Sequence, residues 1–135
     1  SDLIHKNQKR ALSSEKVQEL VKQNVSIAYS IRDNLLKGNL LEFGNWLNSS
    51  WMLKRNFSDI ISDSYLDSIY DGALKNGAVG GKLLGAGGGG FFIFYAPPFQ
   101  KQKLISFLKL KNLKTIPFCF ERNGLTSWTT RSPEC

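Results

Sequence analysis

Gly77-Ala78-Val79-Gly80-Gly81-Lys82-Leu83-Leu84-Gly85-Ala86-Gly87-Gly88-Gly89-Gly90-Phe91-Phe92-Ile93-Phe94-Tyr95-Ala96-Pro97-Pro98 is the stretch on which the reading of this chain turns. Residues 78–84 are short and apolar, 85–90 are nearly all glycine, and 91–95 are aromatic and strand-like, which reads as strand, glycine loop, strand. Four consecutive glycines cost conformational entropy on the order of several kcal/mol relative to alanine, so a backbone requirement has to favour them. One such requirement is a nest of exposed N–H groups, which suits a phosphate. Another is a tight hairpin pressed against a second backbone, and the residues alone leave both open.

Two familiar glycine motifs fail on these residues. Gly85, Gly87 and Gly90 satisfy G-x-G-x-x-G, but a dinucleotide fingerprint needs a helix next and an acidic residue roughly 20 positions on. Here a strand follows, and residues 109–114 hold no acid. A Walker A loop needs Ser or Thr after Gly-Lys, whereas Gly81-Lys82 is followed by Leu83.

Upstream of the stretch the chain reads as helical. Over residues 14–37, Val17, Leu20, Val21, Ala28, Ile31 and Leu35 recur at three- and four-residue steps, and Gly38 supplies the stop. Asn39 is placed to N-cap a second helix reaching Arg55, with Leu40, Phe43, Trp46, Leu47 and Trp51 inward, antiparallel to the first. A third helix is expected from Asp63 or Ser64 to Asn76, burying Leu66, Ile69, Tyr70, Ala73 and Leu74, with Gly77 in the left-handed cap position.

Downstream, Pro97 and Pro98 break the strand and open a helix with Phe99, Leu104, Phe107 and Leu108 inward and Lys101, Lys103, Lys109 and Lys111 outward. Residues 115–120 resemble another strand. Asn123-Gly124 is a hairpin-type turn that predicts a last strand over 125–130, with residues 126–135 forming an irregular tail. Helices followed by strands, with no repeat and no linker, give an α+β class: a helical layer on a small, mainly antiparallel sheet.

At 135 residues the chain holds one core, so residues 1–135 are read as a single domain. Its 41% hydrophobic and 21% charged residues are those of a globular protein. No apolar run of about 18 residues is present to span a bilayer, and residues 1–10 lack the apolar centre of a secretory signal, so a cytoplasmic protein without a membrane partner is expected. Cys119 and Cys135 have no metal-knuckle or redox spacing and read as free thiols. A net charge of +7 fits an anionic partner or a solvated basic surface equally well.

Residues 77–98 resemble the C-terminal glycine motif of the GHMP superfamily of galactokinase-, homoserine kinase-, mevalonate kinase- and phosphomevalonate kinase-like enzymes. Trp51-Met52-Leu53-Lys54-Arg55, Ser58, Ile61-Ser62, Leu66-Asp67 and Ile69-Tyr70 are similar to the stretch preceding this loop in D-glycero-D-manno-heptose 7-phosphate kinases. Pro117-Phe118-Cys119-Phe120-Glu121 with Gly124 is similar to their closing strand and turn, and residues 1–8 to a segment after an early strand of their second domain. The residues after Gly124 fit that pattern less well.

The resemblance implies the C-terminal domain of an ATP-dependent sugar-phosphate kinase. Its fold would be related to the ferredoxin-like one, lacking the first strand. The reaction would be phosphate transfer to the anomeric hydroxyl of the heptose phosphate, with Mg2+ on the nucleotide. The nucleotide-phosphate loop and catalytic acid of that family belong to an N-terminal domain that this sequence is expected to lack, so no catalytic base or metal ligand is assigned here and the chain alone is expected to be inactive. It would contribute the loop Gly85, Ala86, Gly87, Gly88, Gly89 and Gly90 beside the active-site cleft, with Lys82 helping to neutralise developing charge. A missing edge strand would leave a sheet edge open to self-association.

The remaining candidates have bland alternatives. Lys54 and Arg55, ending the second helix, could meet a sugar phosphate or offset the helix dipole. Asp59, Asp63, Asp67 and Asp71 recur every four residues and could hold a metal, but read better as solvated carboxylates near a helix N-terminus. His5 is the lone histidine and reads as exposed. Trp46 and Trp51 suit helix packing rather than a stacking platform. Lysines between 101 and 114 interleave with Phe99 and Phe107, which keeps a basic nucleic-acid-binding module as the alternative class, although those aromatics fit a buried helix face and no nucleic acid is expected. A catalytically silent kinase remnant is a third reading.

Overall fold

The computed structural model describes residues 15–55, 64–85 and 90–128. Helix α1 (Glu15–Leu36) leads into α2 (Leu40–Arg55), then α3 (Ser64–Lys75), strands β1 (Gly80–Leu83) and β2 (Phe92–Tyr95), and helix α4 (Pro98–Leu110). Among the described residues, four helices and a two-stranded antiparallel sheet form the α+β arrangement read from the sequence.

Three of the helices stop in the same way. Beyond α1, Gly38 takes φ +74°, its N–H donates to the Leu35 carbonyl, and the Asn39 N–H donates to Asn34. Beyond α3, Gly77 takes φ +104°, with Gly77 N–H on Leu74 and Ala78 N–H on Ala73. Beyond α4, Asn112 at φ +57° repeats the pattern with Lys109 and Leu108. Each is a Schellman closure, which satisfies end carbonyls that would otherwise lack donors. Asn39 sits at the start of α2, where its carbonyl accepts from Phe43, but its side chain turns back to Asn34. Pro98 opens α4 as expected, its missing N–H falling where no helical acceptor exists.

β1 and β2 pair with Gly80 opposite Tyr95 and Leu83 opposite Phe92. Alternation along the strands puts Gly80, Lys82, Ile93 and Tyr95 on one face and Gly81, Leu83, Phe92 and Phe94 on the other. Helix α2 lies on the first face. A Cβ on Gly80 would overlap the Gly44 carbonyl, so glycine is what lets helix and strand backbones touch. Phe43 meets Tyr95 edge-on at 6.0 Å between ring centroids.

Trp51, Tyr70 and Leu83 form one buried cluster, joined by Phe92 and Phe94. Ala73, Ala78 and Leu104 form a second, capped by Phe107 and Leu108 of α4. Full burial of each large side chain contributes about 1.5–3 kcal/mol, so these clusters are the main thermodynamic anchor of the sheet. Gly72 leaves the room that the Phe107 ring fills.

Several inward assignments are corrected. Phe99 is 81% exposed because it stands five residues before Leu104, off the three- and four-residue rows that carry Leu104, Phe107 and Leu108. Val21, Ala28 and Leu40 are also exposed, since among the described elements α1 packs chiefly along α2, and Leu20, Ile31 and Leu35 are only half-buried. Residues 115–120 and 125–128 form no strand: among the described residues nothing pairs with them. Gly124, at φ +63°, does mark a bend. Residues 129–135 and the cysteine at 135 lie outside the described residues, and Cys119 is an exposed free thiol. No described helix is long and apolar enough to cross a membrane.

Candidate functional site

The glycine loop leaves the sheet through a narrow neck. Its last ladder bond runs from the Leu84 N–H to the Phe91 carbonyl at 2.8 Å. Just beyond it, Gly85 and Gly90 take φ +89° and +122°, backbone conformations that L side chains rarely adopt. Ala86, Gly87, Gly88 and Gly89 lie outside the described residues. The strand, glycine loop, strand reading is borne out in order and pairing.

Helix α2 supplies the wall beside this neck. Ser50 and Lys54 are one turn apart and share a face. The Lys54 ammonium donates to the carbonyls of Gly85 and Leu83, the latter at 3.4 Å, and so fastens the outgoing limb of the loop to the end of α2. The Lys82 ammonium, from β1, donates to the Ser50 hydroxyl at 2.9 Å. Neither lysine faces a carboxylate in an ion pair among the described residues. Burial holds both below the ordinary lysine value, and the charge of Lys82 lowers Lys54 further.

Arg55 is differently engaged. It pairs with Asp67 of α3 at 2.9 Å and rests on the Met52 sulfur, which ties the end of α2 to the start of α3. Asp67 is thereby drawn into an ion pair and Asp71 is exposed, while Asp59, Asp63 and His5 lie outside the described residues.

The base of the site is braced by Tyr70. Its hydroxyl lies 2.7 Å from Asn48 Oδ1 and accepts from the Gly81 N–H at 3.3 Å, immediately before Lys82. Burial raises the phenol, against smaller lowering effects of the Gly81 backbone and Arg55. Trp51 is fully buried against Tyr70 and Phe92, so the packing role read for it holds; its Nε1–H has no acceptor among the described residues.

Thus Lys54 and Lys82 come together at the mouth of the glycine loop and Arg55 stands apart in its own pair. Ser50 and Asn48 escaped sequence reasoning, and Tyr70 reads there as a buried helix residue without its hydrogen bonds to Asn48 and Gly81. Ser50 and Lys54 do share an i, i+4 spacing, but that Lys82 meets them depends on how α2 crosses β1. Partly desolvated cations beside a glycine hairpin suit an anion with several oxygens. The charge and partial burial of Lys82 and Lys54 therefore suit the phosphate end of a nucleotide or a phosphorylated sugar. Among them there is no cluster of three acidic, histidine or cysteine side chains for a divalent metal.

Residues 31–113 match the family described as GHMP kinases C terminal. Over 125 residues, 93% of the chain, the sequence is 33% identical to D-glycero-alpha-D-manno-heptose 7-phosphate kinase of Campylobacter jejuni, and spans 37% of that protein. It is 29% identical over 83 residues, 62% of the chain, to 8% of the bifunctional fucokinase/GDP-fucose pyrophosphorylase of Arabidopsis thaliana. The mevalonate kinase of L. major, solved in complex with R-mevalonate, superposes with a TM-score of 0.67 at 28% identity, covering 80% of this chain and 32% of its own.

Proposed function

Because the chain belongs to the GHMP kinase family, whose C-terminal domain it matches, we propose that it serves as that domain in an ATP-dependent sugar kinase. The substrate we assign is D-glycero-D-manno-heptose 7-phosphate, phosphorylated at its anomeric hydroxyl in the cytoplasm. The observation that carries the phosphate role is the meeting of Lys54 and Lys82 at the glycine hairpin. The choice of sugar is supported by the 33% identity to the Campylobacter heptose kinase over 93% of the chain.

In this reading the loop 85–90, Lys82 and Lys54 hold phosphate oxygens and exclude water from one side of the cleft. Phosphoryl transfer is driven chiefly by positioning and by neutralising charge, which preorganised cations and backbone donors can supply. Bound Mg2+ would supply further neutralisation on the nucleotide, and no residue among 1–135 is assigned as its ligand or as the catalytic base. Those residues alone are accordingly assigned no turnover.

Calorimetric titration of ATP with Mg2+, and separately of the heptose 7-phosphate, into the folded chain tests this when paired with a phosphotransfer assay. The expected result is absence of turnover by the chain alone. Turnover would show that the catalytic centre has been misplaced.

A further inference from the structure

A two-stranded sheet has two outer edges, and here they are not alike. The ladder bond from the Leu84 N–H to the Phe91 carbonyl fixes the alternation, which turns the backbone groups of Gly81 away from β2 and those of Phe92 and Phe94 away from β1. The outer side of Gly81 is taken. The buried Tyr70 hydroxyl lies 3.3 Å from both its nitrogen and its carbonyl oxygen, so no further strand can pair with β1 at that point. The outer side of β2 instead borders a groove of about 460 Å³ that follows the chain from Gly90 to Ala96. At about 3.4 Å per residue this wall is roughly 20 Å long, the length of an ordinary strand. The groove is lined further by Leu104 and Leu108 of α4, and by Ile116 and Phe118 beyond it, which are 60% and 64% exposed.

From this asymmetry we infer that the groove seats a third strand, supplied by a part of the kinase outside residues 1–135, which pairs with Phe92 and Phe94 on one side and draws residues 115–120 into the sheet on its other. The strand expected to be missing from the sheet edge thus belongs inside the sheet. Its chemistry follows from the walls: backbone donors and acceptors at strand spacing to meet Phe92 and Phe94, and apolar side chains at every second position to cover Leu104 and Leu108. The chain spans 37% of the Campylobacter heptose kinase and 32% of the L. major mevalonate kinase, so most of such a protein lies outside it and is available to provide the segment. A second copy fits less well, because its own β2 edge is flanked by Ile116 and Phe118 and cannot enter the groove to its full depth. The same strand accounts for residues 115–120, whose alternating apolar face then gains the partner that a strand needs. The inference rests on reading the chain as one domain of a longer kinase, and not on which sugar that kinase takes.

Amide hydrogen exchange reads the edge residue by residue. It is measured in the 135-residue chain, at a concentration where sedimentation shows a monomer, and in a chimera in which the chain replaces the matching part of the Campylobacter heptose kinase. In the chain alone Ile93, in a bonded pair with Lys82, should exchange slowly and Phe92 and Phe94 quickly. In the chimera Phe92 and Phe94 should slow by about tenfold or more relative to Ile93, the scale of one net hydrogen bond, and amides within 115–120 should gain protection with them. Slow exchange at Phe92 and Phe94 already in the monomeric chain would mean that the chain covers its own edge, and would overturn the inference. Unchanged exchange in a folded chimera would do the same, as would protection lost on diluting the chimera to a monomer, the mark of a second copy. If the chimera does not fold, a short glutamate-capped peptide of alternating valine and threonine is added to the chain in its place. Saturable slowing of the same two amides then supports the site, and no slowing removes it. Phosphate transfer by a chimera whose Phe92 and Phe94 still exchange quickly would keep the kinase reading and remove the strand, whereas slowed amides in a chimera that transfers no phosphate would do the reverse.

Discussion

Replacing Gly80 by alanine tests how α2 is held against the sheet, because the added methyl has nowhere to go. Its carbon would overlap the Gly44 carbonyl and stand 2.9 Å from Asn48 Cβ, so the obstacle is largely helix backbone rather than a rotatable side chain. Relief requires α2 to move off β1 by roughly 1 Å, and overpacking of this kind costs about 1–3 kcal/mol, occasionally more. Gly44→Ala offers an internal control. There the nearest neighbours of the methyl are side-chain atoms, the edge of the Tyr95 ring at 2.8 Å, which can turn, and the stiffer Cβ and Cγ1 of Val79 at 2.9 Å, rather than backbone. Alanine also gains about 1 kcal/mol of helix propensity over glycine. Urea unfolding should therefore rank Gly80→Ala well below Gly44→Ala in stability, the former by at least about 1 kcal/mol and a few degrees in Tm. Since Ser50 and Lys54 travel with α2, Gly80→Ala should also weaken phosphate binding. A Gly80→Ala chain as stable as the parent, or less harmed than Gly44→Ala, would refute backbone contact as the device that seats the helix.

Other consequences concern pH and association. Lys54 and Lys82 are held below 10.5 in the fold, so between their lowered values and 10.5 the unfolded chain binds more protons and stability rises with pH. Tyr70 is raised above 10.0 and keeps its proton longer in the fold, so stability falls as pH climbs past 10.0. Urea midpoints should rise and then turn over across this window, with Lys82→Met flattening the rise and Tyr70→Phe removing the fall; a midpoint independent of pH there would contradict both assignments. The backbone groups of Phe92 and Phe94 point away from β1 and have no partner among the described residues. They border a groove of about 460 Å³ lined in part by Leu104, Leu108, Ile116 and Phe118. An open edge beside apolar surface favours self-association, so sedimentation should show concentration-dependent assembly that Phe118→Lys weakens, and a strict monomer at all concentrations would count against it.

Local signals carried most of the fold. Gly38 and Gly77 marked helix ends because only a residue tolerant of positive φ closes a Schellman motif cheaply, and Pro98 marked a start because it needs no acceptor. Asn112 closes α4 by the same means but was not singled out, since asparagine does this less often than glycine. The hairpin was legible because strand-like residues flank a run of glycines. Residues 115–120 misled for a related reason: alternating Ile116, Phe118 and Phe120 defines a face, whereas a strand also needs a partner. At the site, Lys54 and Lys82 were legible as charges near the loop, and so was Arg55. Their different partners, two carbonyls, a hydroxyl and Asp67, are set by the crossing of α2 over β1 and α3, which no local pattern encodes.

The central claim is that this chain acts as the phosphate-side wall of a sugar kinase, and a transplant tests it most directly. Residues 1–135 would replace the matching part of the Campylobacter heptose kinase, and transfer of phosphate from ATP to heptose 7-phosphate would be measured with and without Lys82→Met. The account predicts measurable transfer by the chimera and loss of most of it on removing Lys82. A folded chimera that binds ATP yet transfers no phosphate, or one indifferent to Lys82→Met, would contradict it.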